Sequence, residues 1–258
     1  MAMDLTVAMI GATVQIDQPL AGGGSEFGTG FLVQDPAPDG TPRTVLVTAG
    51  HVFDNMPGPE VRIGYRFQAA DGAWKLSRQP LEVRDSSKPL WVRNPNQDVA
   101  AMVIQAPPEF ARAAIPLAWL ADETTFDKTG VRPGDEMTVL GFPLGLASND
   151  AGFPILRIGR VASYPLTPIS RYASFVIDFR FARGNSGGPV FVAADGRGRP
   201  GSPDPETAFV AGILTKQVDQ VELGIVVHAA YIRETLLLLD IPGAPAPLTT
   251  PEPAPAAP

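Results

Sequence analysis

The sequence predicts an all-β protein, barrel or sandwich in type, on three observations. Short apolar or alternating runs are broken by Gly or Pro about every ten residues along most of the chain, the pattern of many short strands joined by turns. β-branched and aromatic residues concentrate in those runs, as in Val45-Leu46-Val47-Thr48 and Pro189-Val190-Phe191-Val192, where they suit a pleated, half-buried surface. Long amphipathic helical stretches are missing apart from one segment near the end, 231–239, which reads as a closing helix.

Taken in order, the strands are predicted at 6–16, 28–34, 44–48, 61–68, 74–82 and 99–105, and then at 136–141, 154–164, 174–179, 189–194, 207–215 and 224–228. Asp71-Gly72 marks a hairpin between two of them, because Gly supplies the positive φ that tight hairpin turns need. Residues 36–42 and 55–59 read as surface loops. The strand pattern fades from about 106 to 130 into a Pro- and Ala-rich connection. Residues 195–205 read as a hairpin insertion whose two arginines form a solvated tip. Residues 242–258 are almost all Pro and Ala, a composition that cannot form a core and suits a stiff linker or tail.

Composition bounds the function. With 258 residues, 45% hydrophobic and 18% charged, the chain can bury a sizeable core as one large or two small domains. A formal net charge of −7 argues against nonspecific nucleic-acid binding, which needs a basic face. The absence of cysteine removes disulfides, thiolate metal sites and a Cys nucleophile together. No clustered His or carboxylate set has ligand spacing, so neither a metal nor a cofactor is expected. The N-terminal segment carries an acid where a signal peptide would be basic, and no apolar run approaches the roughly 18 residues of a membrane span. The reading therefore favours a bacterial cytoplasmic setting over a secreted one, with no membrane partner.

Chemistry concentrates in three places. Residues 182–190, Ala-Arg-Gly-Asn-Ser-Gly-Gly-Pro-Val, put Ser186 on a Gly-rich loop before an apolar strand. Such a loop can aim the amide hydrogens of Gly184 and Ser186 at one point, as an oxyanion requires; taken alone it equally fits a turn whose serine bonds to backbone. His51, one of only two histidines, follows the apolar run 45–49 at a strand end. Asp98 sits at the mouth of the apolar run 99–104, where a buried carboxylate needs a hydrogen-bonding partner such as an imidazole N–H. Asp54 is a rival acid, in a loop with Asn55 and Pro57.

These segments together resemble the trypsin-like (chymotrypsin-fold) serine protease superfamily. Thr48-Ala49-Gly50-His51 resembles its histidine motif, Asp98-Val99-Ala100 its acid motif, and Gly184-Asn185-Ser186-Gly187-Gly188-Pro189 its nucleophile motif. Gly141-Phe142-Pro143-Leu144-Gly145 is similar to a segment of the bacterial HtrA-like branch, here without the PDZ domain that usually follows. The order His, Asp, Ser is that of the chymotrypsin group, and it disfavours an α/β-hydrolase. The resemblance implies two six-stranded Greek-key β-barrels at 1–110 and 131–241, joined by 111–130 and closed by the short C-terminal helix, with 242–258 as tail.

It also implies a serine endopeptidase acting on polypeptides, with a triad of His51, Asp98 and Ser186 and an oxyanion hole of the Gly184 and Ser186 amides. Substrate would be bordered by Phe179-Arg180-Phe181-Ala182-Arg183 and Leu214-Thr215-Lys216-Gln217. Thr215 resembles the residue whose hydroxyl often bonds the triad acid. Arg180 stands where the family's pocket-base residue lies; pointing inward it would favour an acidic substrate side chain, and pointing outward it would leave a small apolar pocket. Asn185 replaces the aspartate that animal relatives use for zymogen activation, so any activation would come from a protein partner or substrate ordering the oxyanion loops. The other histidine, His228, receives no catalytic role. The competing reading is a catalytically silent binding or scaffold module on the same fold.

Overall fold

The structure is a computed structural model and describes residues 5–180, 182–193, 208–218 and 222–245. The hairpin insertion at 195–205, the tail from 246 onward, Phe181 and Thr207 lie outside the described residues. Among the described residues no helix is long and apolar enough to cross a membrane.

The N-terminal half holds β1 (Thr13–Pro19), β2 (Ser25–Gln34), β3 (Thr44–Thr48), β4 (Glu60–Gln68), β5 (Trp74–Glu82), β6 (Arg84–Asp85), β7 (Lys88–Pro89), β8 (Val92–Arg93), β9 (Ala100–Ile104) and β10 (Ile115–Pro116). Its main sheet runs β5-β4-β1-β2-β3-β9-β8, with β10 added in parallel to β2, while β6 and β7 pair separately. Side chains from β1, β2, β3, β4 and β9, among them Val14, Ile16, Leu32, Leu46, Ile63, Tyr65 and Met102, meet in one buried cluster, so the sheet curls around its own core. The β4–β5 hairpin turns at Asp71-Gly72 as the sequence predicts: Gly72 has φ 81° and the Asp71 carboxylate accepts the Ala73 amide at 3.0 Å.

The C-terminal half is a closed six-stranded barrel in the order β11-β12-β13-β16-β15-β14. Its strands are β11 (Glu136–Gly141), β12 (Ile155–Val161), β13 (Ser174–Asp178), β14 (Pro189–Val192), β15 (Phe209–Val218) and β16 (Leu223–His228). The short helices are α1 (Leu5–Ala12), α2 (Gly50–Asp54), α3 (Pro108–Ala111), α4 (Thr125–Thr129) and the closing helix α5 (Ala229–Leu237). The connection between the halves is thus more regular than its composition suggests, carrying α3, β10 and α4.

The first element departs from expectation. Residues 5–12 form a helix rather than the start of a strand, and β1 begins only at Thr13. A continuous apolar run does not distinguish the two by period. The helix is selected by its packing: Leu5, Met9 and Ala12 fall on one face and enter the core between the two halves. Arg66 then accepts the role of cap, donating to the carbonyls of Ile10, Gly11 and Thr13, which satisfies the orphan acceptors at a helix end.

Both faces of β1 are buried, for different reasons. Val14 and Ile16 point into the N-terminal core, whereas Thr13, Gln15 and Asp17 face the other way and are buried as well. The side-chain period of two puts these polar residues on one face. Each is hydrogen-bonded: Thr13 to Met9, Gln15 to Gly145 and Arg78, and Asp17 to Arg62 and Arg78.

Candidate active site

His51 lies in the one-turn helix α2, which starts two residues after β3 ends. Antiparallel pairing sets Thr48 opposite Ala100, so the residues running past the end of β3 meet those leading into β9. This brings Asp98 to His51. The Asp98 carboxylate accepts the His51 ring Nδ1 at 2.6 Å and the His51 backbone amide at 3.0 Å. Gly50 leaves room beside them, since a Cβ there would stand 2.8 Å from the Arg93 guanidinium and 3.0 Å from the carboxylate and would displace the Arg93 side chain.

Burial acts to raise the Asp98 pKa, but hydrogen bonding and charge from His51, with a further contribution from Arg93, outweigh it and hold the carboxyl below its usual range. Arg93 was not singled out by its sequence context. It sits on β8 and bridges the two acids near His51, meeting Asp54 at 2.5 Å and Asp98 at 3.4 Å. Asp54 is therefore an exposed ion-pair partner of Arg93, and Asp98 is the acid on the imidazole.

Ser186 comes from the other half, on a loop of two successive tight turns before β14. Asn185 N–H donates to Ala182 at 3.1 Å and Gly188 N–H to Asn185 at 2.9 Å, with Gly184 at φ 92° and Gly187 at φ 86°. No other residue type fits at Gly187, where a Cβ would lie 1.9 Å from the Thr29 carbonyl oxygen.

Thr29 on β2 fastens this loop to the N-terminal half. Its backbone amide donates to the Ser186 carbonyl at 2.9 Å, its hydroxyl donates to the Gly184 carbonyl at 2.6 Å, and the same hydroxyl accepts the Phe142 amide at 3.1 Å. The Arg183 carbonyl accepts the Leu144 amide at 2.6 Å. In a trans peptide the N–H points opposite to the C=O, so the Gly184 N–H is turned away from Leu144. Among the described residues, neither the Gly184 nor the Ser186 amide has an acceptor.

His51, Gly184 and Ser186 line one cleft of about 90 Å³ together with Glu26, Phe27, Val52, Asn55, Met56 and Arg183. A second hollow of about 300 Å³ adjoins it on the Asp98 side, shared by His51, Arg93, Asp98 and Lys216. A roomier hollow, about 640 Å³, lies elsewhere between Pro36, Pro42, Leu117 and Arg233 and is lined by neither a serine nor a histidine. Ser186 Oγ donates to the Thr215 carbonyl at 3.2 Å.

The expected pocket residues divide. Lys216 borders the hollow beside His51. Thr215 does not bond Asp98: its hydroxyl donates to the Ile225 carbonyl at 3.4 Å. The cause is a register shift, since β15 pairs Leu214 with Val226 but Lys216 with Ile225, which places Thr215 in a bulge. Arg180 is not brought into the cleft; its exposed side chain pairs with Glu222 at 3.1 Å, the outward of its two readings. Gln217 pairs with Gly224 through its backbone, and its side chain lies outside the described residues. Arg183 pairs with Glu26 across the rim of the cleft at 3.2 Å.

His228 is fully buried, edge-on to Phe126 and tilted against Phe175, and it does not line the cleft. Burial pushes its pKa down to about 4, an effect that a backbone interaction with Leu166 only partly offsets. Among the described residues neither ring nitrogen has a hydrogen-bond partner of good geometry.

Comparison with known proteins agrees with this architecture. No curated protein matches the sequence. The Rv3671c protease of M. tuberculosis, solved in its active form, superposes with a TM-score of 0.52 at 21% identity, covering 95% of this chain and 86% of its own. The protease Anisep of Arthrobacter nicotinovorans gives 0.50 at 15% identity over 87% of this chain and 93% of its own. At such identities these likenesses establish the fold. Residues 28–198 match the profile of the trypsin-like peptidase domain. Since that match spans most of the chain and a curled sheet followed by a closed six-stranded barrel accompanies it, the chain belongs to the trypsin-like peptidase family, a family of serine protease hydrolases that act on polypeptides.

Proposed function

We propose that the protein is a serine endopeptidase in which Ser186 is the nucleophile, His51 the general base and acid, and Asp98 the residue that orients the imidazole. Residues 1–110 and 131–241 act in this reading as two half-sites, joined by 111–130. The observation that carries it is the His51–Asp98 pair at 2.6 Å on one wall of a cleft whose opposite wall holds Ser186 and Gly184.

With Nδ1 engaged by Asp98, the Nε2 edge of His51 is left for the serine proton. A peptide carbonyl entering the cleft is attacked by Ser186 Oγ as that proton passes to His51. Asp98, ionised because its pKa is held low, stabilises the imidazolium. The Gly184 and Ser186 amides receive the oxyanion. Collapse of the tetrahedral species breaks the C–N bond as His51 returns the proton to the departing amine, and water repeats the sequence on the acyl-enzyme.

Ser186 Oγ must leave the Thr215 carbonyl and turn to His51 before attack. That exchange is a natural point of control, and with Asn185 in place of an acid we place activation in substrate or a protein partner that favours the turned hydroxyl. With Arg180 paired outward to Glu222, the pocket before the nucleophile is read as small and apolar. The Ser186–Thr215 bond also suits a silent scaffold, and one experiment separates the two. A fluorophosphonate probe should label Ser186 in the wild type and not in Ser186→Ala, with peptide cleavage lost in the same variant. Wild-type protein that is folded yet neither labelled nor proteolytic, with or without added polypeptide, would leave the scaffold.

A further inference from the structure

From the buried polar face of β1, we propose that Gln15 is a positioning residue for the oxyanion hole, acting through the turn at 143–145. This rests on the reading above, in which the Gly184 amide serves that hole.

Gln15 is buried, and its side-chain amide reaches across to the other half, donating from Nε2 to the Gly145 carbonyl at 2.8 Å. Its orientation is fixed from behind. Arg78 donates to Gln15 Oε1 at 3.0 Å and is itself anchored on the buried Asp17 at 2.5 Å, so the oxygen of the amide faces Arg78 and the NH₂ group faces Gly145. An amide offers one acceptor end and one donor end, and here each has one partner.

The turn that Gln15 holds needs holding. Leu144 has φ 54°, a left-handed conformation that costs a side-chain-bearing residue energy and persists only where surroundings over-determine it. Gly145 follows at φ 76°. Within the turn, Gly145 N–H donates to Phe142 at 2.9 Å and Leu146 N–H to Pro143 at 2.9 Å. Leu144 is 64% exposed, so its own side chain does little to fix the turn.

What the turn presents is the Leu144 amide, which holds the Arg183 carbonyl at 2.6 Å. The Arg183–Gly184 peptide can rotate as a plate, and if it turned over, its carbonyl oxygen rather than the Gly184 N–H would face the cleft. Three contacts oppose that: Leu144 on the Arg183 carbonyl, Thr29 on the Gly184 carbonyl, and the close approach of Phe142, whose oxygen lies 2.3 Å from where a Gly184 Cβ would be. The first depends on a strained, exposed turn that the N-terminal sheet holds through the Gln15 bond to the Gly145 carbonyl, beside the Phe27 ring packed against Gly145 and the Thr29 hydroxyl on the Phe142 amide. Losing the Gln15 bond permits Leu144 to relax, frees the Arg183 carbonyl, and lowers the fraction of molecules with the Gly184 amide aimed at the oxyanion.

Two substitutions divide the side chain's functions. Gln15→Leu keeps approximate volume and removes both bonds. Gln15→Glu keeps an acceptor for Arg78 but at neutral pH has no hydrogen to donate to Gly145. The readout is the rate constant for fluorophosphonate labelling of Ser186, with the final labelled fraction and the melting temperature measured on the same preparations. Both variants should label about tenfold more slowly than wild type, the scale of one lost hydrogen bond of a little over 1 kcal/mol, and Gln15→Glu should do so with labelling still running to completion and a melting temperature near that of wild type. A merely structural role would reduce the labelled fraction or the melting temperature and leave the rate constant of the folded molecules unchanged. Labelling of Gln15→Glu at the wild-type rate overturns the inference while leaving the serine hydrolase reading intact; absence of labelling in wild type removes the reading on which it rests.

Discussion

Replacing His228 should remove a specific part of the protein's acid sensitivity. The imidazole is fully buried between Phe126 and Phe175 and is kept neutral, with a folded-state pKa of about 4 against 6.5 when free. As pH falls below about 6.5 an unfolded chain protonates this ring, whereas the folded chain does so only near 4. Between those values the unfolded state binds more protons, so stability declines as the solution is acidified. The difference corresponds to roughly 3 kcal/mol that is present above pH 6.5 and lost by pH 4, and to about 2.5 kcal/mol between pH 7.5 and pH 4.5 on the same relation.

The assay is urea unfolding of Ser186→Ala protein, in which self-digestion is absent, with and without His228→Leu. Other titrating groups are common to both proteins and cancel in the difference. Relative to its parent, the leucine variant should gain about 2–3 kcal/mol on going from pH 7.5 to pH 4.5, whatever its absolute stability at neutral pH. Parallel stability curves for the two proteins would refute the argument, since they would mean that the ring is protonated in the fold or reaches water there.

Asp98→Asn should lower peptidase activity on the order of 10⁴-fold while the protein remains folded, because an amide imposes the wrong tautomer on His51; a small loss, measured on any cleaved peptide, would transfer the orienting role to Asp54. Gly184→Ala introduces a methyl 2.3 Å from the Phe142 carbonyl oxygen at a φ of 92°, so the loop must shift, and labelling of Ser186 should slow by about 10²-fold or more. Arg180→Ala should leave the ranking of peptides differing only in the residue before the cut unchanged, given the outward pair with Glu222; selective loss of cleavage after Asp or Glu would put Arg180 inside the pocket.

The strands were largely legible because their apolar and β-branched runs are bounded by Gly, Pro and Asp-Gly turns, signals that act over a few residues. Residues 44–48, 74–82 and 136–141 form strands with the bounds their composition suggests. Residues 5–12 did not follow, since an unbroken apolar run satisfies helix and strand equally until Leu5, Met9 and Ala12 find the core. The three motifs around His51, Asp98 and Ser186 were visible for a related reason: each is a local arrangement in which glycines or an apolar run fix a chain reversal or a strand end.

The sequence by itself therefore determined most of the strand content, the glycine-built loop around Ser186 and which side chains are candidates for chemistry. Tertiary structure alone decided their partners. Nothing local to Thr29 or Gln15 reveals that they fasten a turn and a loop more than 100 residues away, that Arg93 joins Asp54 to Asp98, or that a bulge at Thr215 turns its hydroxyl to Ile225. Strand propensity and turn chemistry are set by neighbours along the chain, whereas the partner of a buried hydrogen-bonding group depends on the register and packing of strands that meet only after folding.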